Sequence, residues 1–382
     1  MLLAIVIVFI LIFAGVVIIM LVPKPVEEAQ KIPEQIQQLP NMIIPKTDWR
    51  ITEEWLDQKL VEWKDSKGSV QYGAVSQPLS YWHVQQNYIT KEVIDANFKM
   101  LEDSGASIIR IDVDYTIFLN QEAQNIAKLD YAINKIKQDG KKVMLADSSA
   151  EVYFKSPKSW AEHKVLWKER VKVLTERYNP DYYVVIKEPG WYYNQIWDLH
   201  IIRLYDHPEE WIALTTDLTK IVKGINPQTQ VAVAVAASQL YHEQGTSILN
   251  RVFLCKVDDI PIDILGFDIY DRWGFEDTER FINDCKPSKE KWILEAWSED
   301  VAGDGSNIYN SGRENLDVKW VNVIDLFAKK FGFKGVVIFY TDLYAYYVNP
   351  NYQAQHNVSD AVSFYQGRSK TFYEVQKVAR MN

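Results

Sequence analysis

Two glutamates close otherwise apolar runs of this chain. Glu188 ends YYVVIKEPGWYY and Glu295 ends the apolar part of WILEAWSED. Paired carboxylates facing one cleft can divide the cleavage of a glycosidic bond: one protonates the leaving oxygen, and the other attacks the anomeric carbon or activates water. Other apolar runs end in residues that suit the same work. One leads through Arg110 to Asp112 and Asp114, one closes on Tyr270-Asp271-Arg272-Trp273, and one on Phe339-Tyr340-Thr341-Asp342. Trp82, Trp191, Trp273, Trp297 and Tyr340 offer flat faces on which the C–H face of a pyranose can stack, and His83 beside Trp82 is either a further sugar contact or a surface residue. The chain holds 13 Trp and 22 Tyr among 382 residues, more than a core of this size needs, so some of them are expected to face a ligand. Taken singly, each glutamate could simply pair with a neighbouring Lys or Arg. Their joint placement among aromatic residues favours the carbohydrate reading.

The elements that must carry these residues are legible as eight short apolar runs: 69–75, 107–113, 142–147, 182–187, 230–236, 263–270, 291–296 and 335–341. Most are continuously apolar, as in parallel strands covered by helices. Between them, Thr90 can cap a helix that Gly105 stops, and Ile126, Leu129, Ile133 and Ile136 recur at helical spacing up to Gly140. Ser156-Pro157 opens a third helix with Trp160, Trp167, Val171, Leu174 and Tyr178 on one face, which makes His163 within it structural. Weaker helical patterns lie near 207–223, 246–255, 276–284, 314–330 and 368–380. The alternation predicts an α/β fold, a single (β/α)8 TIM barrel whose functional groups sit at the carboxyl ends of the strands. A doubly wound open sheet is the other arrangement, but no Gly-rich fingerprint follows the first run.

With these residues in place, the chain resembles the retaining (β/α)8 glycoside hydrolases grouped as clan A. KEP at 187–189 resembles their strand-4 Asn-Glu-Pro motif, WILEA their strand-7 nucleophile motif, DILGFDIY their strand 6 with its terminal Tyr, and GASIIRIDV their Arg-bearing second strand. The resemblance covers roughly residues 70–345. It implies that Glu188 is the acid/base, Glu295 the nucleophile, and Arg110 and Tyr270 the partners of the nucleophile. Lys187 stands where the family has Asn. An ammonium there would favour ionised Glu188, the wrong direction for an acid near neutral pH, unless it points away or meets an anionic sugar such as a uronate. Strand 8 also departs, offering Phe339 and Tyr340 in place of the usual Trp. The expected activity is retaining hydrolysis of a β-linked poly- or oligosaccharide. The alternative is a catalytically inactive glycan-binding surface protein on the same barrel. A Schiff-base role for Lys187 would need the phosphate-binding sequence that aldolase barrels carry, and none follows the seventh and eighth runs.

Composition narrows the partners. Lys+Arg number 42 against Asp+Glu 51, a net charge of −9 with no basic block, which argues against nucleic acid. Six histidines form no metal-binding motif and two cysteines are too few for a zinc site, so no cofactor and no metal are expected. Cys255 and Cys285 precede neighbouring strands and could form a disulfide or remain buried thiols.

Residues 2–22 carry no charge and can span the about 30 Å of a bilayer core. Without a basic start or a small-residue cleavage site, they predict an uncleaved transmembrane anchor rather than a signal peptide. Residues 23–46 hold Pro23, Pro25, Pro33, Pro40 and Pro45 among polar residues and read as a linker stalk. The expected organisation is an anchor over 1–22, a stalk over 23–46 and a barrel over 47–382. Flanking charges leave the orientation open, and the extracellular placement of the barrel follows from the function alone.

Overall fold

Strands that are apolar on both faces must be covered on both, and closing them into a ring achieves this with one layer of helices outside. The computed structural model describes residues 49–147, 160–188, 208–241, 253–298, 311–339, 341–345 and 357–382. All belong to the unit Ile44–Asn382. Eight strands form a closed barrel in chain order: β1 Gln71–Val75, β2 Ile108–Val113, β3 Lys142–Asp147, β4 Tyr182–Lys187, β5 Gln230–Ala236, β6 Ile264–Ile269, β7 Glu290–Ala296 and β8 Gly335–Ile338. Every neighbouring pair is parallel, including β1 with β8, so the barrel expectation holds and the open sheet is excluded.

Alternation along the strands divides the core. Ile108, Met144, Val184, Ala232, Ala234, Ile264, Trp292, Leu294 and Val337 form one cluster inside the ring. Their odd neighbours, such as Ile109, Leu145, Tyr183, Val233 and Phe267, join the larger layer between strands and helices. Trp292 is large for a barrel interior, and Gly335 on β8 makes room for it: a Cβ there would collide with the indole. Gly266 does the same for Leu294.

The readable helices are present as Lys91–Asp103, Ala123–Gln138, Trp160–Tyr178, Pro208–Ile225, Arg272–Cys285, Glu314–Phe331 and Lys370–Met381. Ser156-Pro157 and most of 246–255 lie outside the described residues. Three further helices among the described residues, Glu53–Trp63, the short Thr116–Leu119 and Val358–Gln366, had no sequence expectation. Thr52 caps the first by accepting from the Trp55 amide at 3.2 Å. Its Trp55 and Trp63 then pack on Phe275 and Phe327, each with ring centroids 5.3 Å apart. Cys255 and Cys285 are joined as a disulfide with Cα atoms 5.4 Å apart, which closes the alternative of free thiols. Among the described residues, no helix is long and apolar enough to cross a membrane. The expected span 2–22 and the stalk 23–46 lie outside those residues.

Candidate active site

Simple alternation brings Arg110 and Asp112 of β2 and Asp268 of β6 to the inside, because they share parity with the interior residues Ile108 and Ile264. The two motif strands need more than alternation. On β4 the register with β5 shifts between Val184 and Ile186, so Lys187 comes to pair with the interior residue Ala234. On β7 the register with β6 shifts so that Phe267 faces Ile293 but Asp268 faces Glu295. Each shift inserts one extra residue, as a β-bulge does, and re-aims the side chains beyond it. The result turns Lys187 and Glu295 inward. Glu188 follows directly at a backbone φ of 42°, in the left-handed region, with its amide bonded to the Ala234 carbonyl at 2.9 Å.

Glu295 lies at the centre of the site. Arg110 Nη2 donates to its Oε1, and the Tyr270 hydroxyl donates to its Oε2. Lys187 Nζ pairs with the same Oε1 at 2.6 Å and reaches Asp112 Oδ2 at 3.5 Å. Arg110 also holds Asp112 through Nε at 2.7 Å and the Leu294 carbonyl through Nη1 at 2.7 Å. The Tyr81 hydroxyl takes a hydrogen bond from Lys187 at 2.6 Å and gives one to Asp112. Phe339 packs edge-on against both Tyr81 and Tyr270, with centroids 6.3 Å apart in each case, and lies 5.2 Å beneath the Lys187 ammonium.

The electrostatics follow from this geometry. Burial pulls the Lys187 ammonium down, but Asp112 and Glu295 outweigh it and hold the group well above the ordinary lysine range, so it stays charged. The same contest keeps Arg110 charged. Burial pushes Asp112 up, yet Arg110 and Lys187 hold it below the usual carboxylate range. Asp268 differs, because burial and the charges of Glu295 and Glu188 all push it well above that range.

Oxygens of Glu188, Asp268 and Glu295 lie within 4.8 Å of one another, a spacing a divalent cation could use. The donor set does not fit one. Arg110 and Lys187 already occupy Glu295 Oε1, and an added cation would sit against two fixed positive charges.

Five of the residues expected from sequence, Arg110, Lys187, Glu188, Tyr270 and Glu295, thus meet in one site. Trp273 stands half-buried at the start of helix Arg272–Cys285, just beyond Tyr270. Trp297 is a correction: it is fully buried in the layer between strands and helices, so it has no face to offer a sugar. Trp191 and Tyr340 lie outside the described residues, as does the side chain of Trp82. His83 is partly buried, with Nδ1 3.2 Å from the Gln77 carbonyl. His163 is packed between Trp160 and Trp167, and burial holds it down to about 4, in keeping with its structural reading. Sequence reasoning missed Asp268 and the role of Tyr81. Asp268 was findable, because it shares parity with Tyr270 in DILGFDIY. Tyr81 was not findable as a partner of Lys187, since its φ of 53° and its bridge to Val113 are set by tertiary contact.

No protein-family model matches the sequence, and no curated protein matches it either. Solved structures match by shape. A β-glucosidase from Exiguobacterium marinum aligns over 71% of this chain and 90% of its own, with a TM-score of 0.50 at 10% identity. The GH1 β-glucosidase from Exiguobacterium antarcticum B7 aligns over 72% of this chain and 88% of its own, with the same TM-score of 0.50 and 10% identity. At such identity the likeness concerns the fold, because one barrel architecture hosts many chemistries. The resemblance to clan A barrels therefore holds at the level of architecture, and the chain is a (β/α)8 barrel similar in fold to these β-glucosidases.

Proposed function

We propose that this chain is a glycoside hydrolase that cleaves a β-linked poly- or oligosaccharide with retention of configuration. The observation that carries the reading is the approach of Glu188 to Glu295 to within 4.8 Å between carboxyl oxygens, at the carboxyl ends of β4 and β7. Retaining enzymes hold their carboxyl groups about 5–5.5 Å apart, whereas inverting ones leave roughly 6.5–9.5 Å for a water molecule. Arg110 and Lys187 fill Glu295 Oε1, while among the described residues Oε2 takes only the Tyr270 hydroxyl and keeps a lone pair for attack. Glu295 Oε2 then attacks the anomeric carbon as Glu188 gives its proton to the leaving oxygen. In the second half, Glu188 takes a proton from the water that opens the glycosyl ester. Both cations of the site are committed to carboxylates, which favours a neutral sugar over an anionic one. Fold-level analogy with the Exiguobacterium β-glucosidases points the same way with less weight.

In the same reading residues 2–22 anchor the chain, and the barrel works outside the cell at the end of the 23–46 stalk. The Cys255–Cys285 disulfide supports an oxidising compartment.

One observation favours a second reading, a barrel that binds glycans without turning them over. Lys187 sits 2.6 Å from Glu295 and ties up the proposed nucleophile. The deciding experiment assays the full chain on a panel of β-glycosides, with proton NMR following the anomer first released. The hydrolase reading expects the β anomer first, no turnover in Glu295→Ala, and a loss of about 10²–10⁴-fold in Glu188→Gln. Release that survives Glu295→Ala would overturn it, and binding without turnover across the panel would select the glycan binder.

A further inference from the structure

Asp268 has no part in the mechanism above, yet it is built into the same site. It is 1% exposed and faces Glu295 in register across β6 and β7. Among the described residues, neither of its carboxyl oxygens has a hydrogen-bond partner. The charged groups that bear on it are Glu295 of β7, Glu188 and Lys187 of β4, and Arg110 of β2. The cations are engaged elsewhere: Arg110 holds Asp112, Glu295 and the Leu294 carbonyl, and Lys187 holds Glu295, Asp112 and Tyr81. Leaving a buried carboxylate without a partner is more costly than protonating it.

Glu295 is already held by two cations and a hydroxyl. What remains is the pair Asp268 and Glu188, with oxygens within 4.8 Å. Two carboxylates so close in a buried site do not both ionise freely, and their titration belongs to the pair. We propose that Asp268 and Glu188 share one proton at neutral pH, and that Asp268 thereby keeps the acid of the reaction supplied with it. Burial and the two glutamate charges, which push Asp268 upward against Arg110 and Lys187, act in the same direction.

The consequence for catalysis rests on the hydrolase reading, while the shared proton does not. In that reaction the proton passes from Glu188 to the leaving oxygen as the glycosidic bond breaks and the Glu295 ester forms, which leaves both members of the pair ionised. As water opens the ester, its proton returns to the pair. Asp268 acts through Glu188 and is a positioning residue, one that offsets the neighbouring Lys187 ammonium.

The test compares urea unfolding of the full chain in mild detergent for wild type, Asp268→Asn and Glu188→Gln, from about pH 4 upward. A carboxyl raised in the fold contributes stability that is complete below its unfolded value of about 4 and is lost as pH rises through the folded value. The wild-type folding constant should therefore fall against that of Asp268→Asn by about tenfold per pH unit across this window. Glu188→Gln should end the fall at least about one pH unit lower, since it removes a repelling charge. No fall relative to Asp268→Asn, or an unchanged window in Glu188→Gln, overturns the proposal. Should the site variants not fold, the infrared carbonyl band of a protonated carboxyl at neutral pH, recorded in Asp342→Asn, must be present, and its absence overturns the proposal too. On a turned-over substrate, Asp268→Asn should move the basic limb of the kcat/KM profile to lower pH. If no substrate is turned over while the unfolding window stands, the hydrolase reading has failed and the shared proton has not.

Discussion

Lys187 is the cation that joins two buried carboxylates of the site. Its ammonium lies between Glu295 and Asp112 with 3% of the residue exposed, so its charge is spent inside the protein. Removing one partner from a buried ion pair leaves an uncompensated charge and typically costs about 3–5 kcal/mol. Lys187→Met should therefore lower the unfolding free energy at neutral pH by about that amount, measured by urea titration. The sign of its pH dependence follows from Asp112, which Arg110 and Lys187 hold below the ordinary carboxylate range. Wild type loses that contribution in acid, whereas the variant has less of it to lose, so the gap between them should narrow as pH falls. A gap that widens in acid would mean that Lys187 does not stabilise the ionised carboxylates.

At the scale of the elements, two bulges do what strand periodicity does not. On β4 strict alternation from Tyr182 and Val184 would leave Lys187 outside, and on β7 alternation from Trp292 and Leu294 would leave Glu295 outside. The shifts opposite Ile186 and Glu295 reverse both. The same strands carry two large side chains of the interior: Trp292 packs on Tyr182 with centroids 5.1 Å apart and needs the bare Cα of Gly335 on its other side. Gly335→Ala forces the indole from its place, and overpacking of this kind costs about 1–3 kcal/mol. Chemical denaturation should show that loss, and the near-ultraviolet circular dichroism of the tryptophans should change with it. An unchanged stability would mean that the interior near β8 is looser than its geometry implies.

At the scale of the whole molecule, another buried carboxyl lies apart from the pair Asp268 and Glu188. Asp342 follows β8 in the turn Thr341–Tyr344, accepts from the Tyr365 hydroxyl at 3.1 Å, and is pushed by burial up to about 7. Its folded value is raised, so its contribution to stability is complete below about pH 4 and is lost as pH rises toward about 7. Asp342→Asn, which keeps an acceptor for Tyr365, should gain on wild type across that interval and run parallel above it. Thermal unfolding at stepped pH measures the difference, and parallel curves throughout would show that Asp342 is ionised in the fold. The helix Val358–Gln366 that supplies Tyr365 thus ties the end of the chain to the end of the barrel.

Local pattern determined much of this protein. Runs such as YYVVIK and QVAVAVA match β4 and β5 end to end, and Glu188 and Glu295 were legible because each breaks an apolar run at its carboxyl end. The pairing of Arg110 and Tyr270 with Glu295 was legible only through resemblance, since no spacing in one sequence brings β2, β6 and β7 together. Direction was not legible. The bulges on β4 and β7 arise from how each strand registers with its neighbours, and they decide that Lys187 meets Glu295. Parity with Tyr270 in DILGFDIY makes Asp268 legible as an inward residue, but only closure of the ring places it against two glutamates and away from water. Its protonation is a property of that enclosure, because only burial among like charges makes a lone carboxylate too costly to keep.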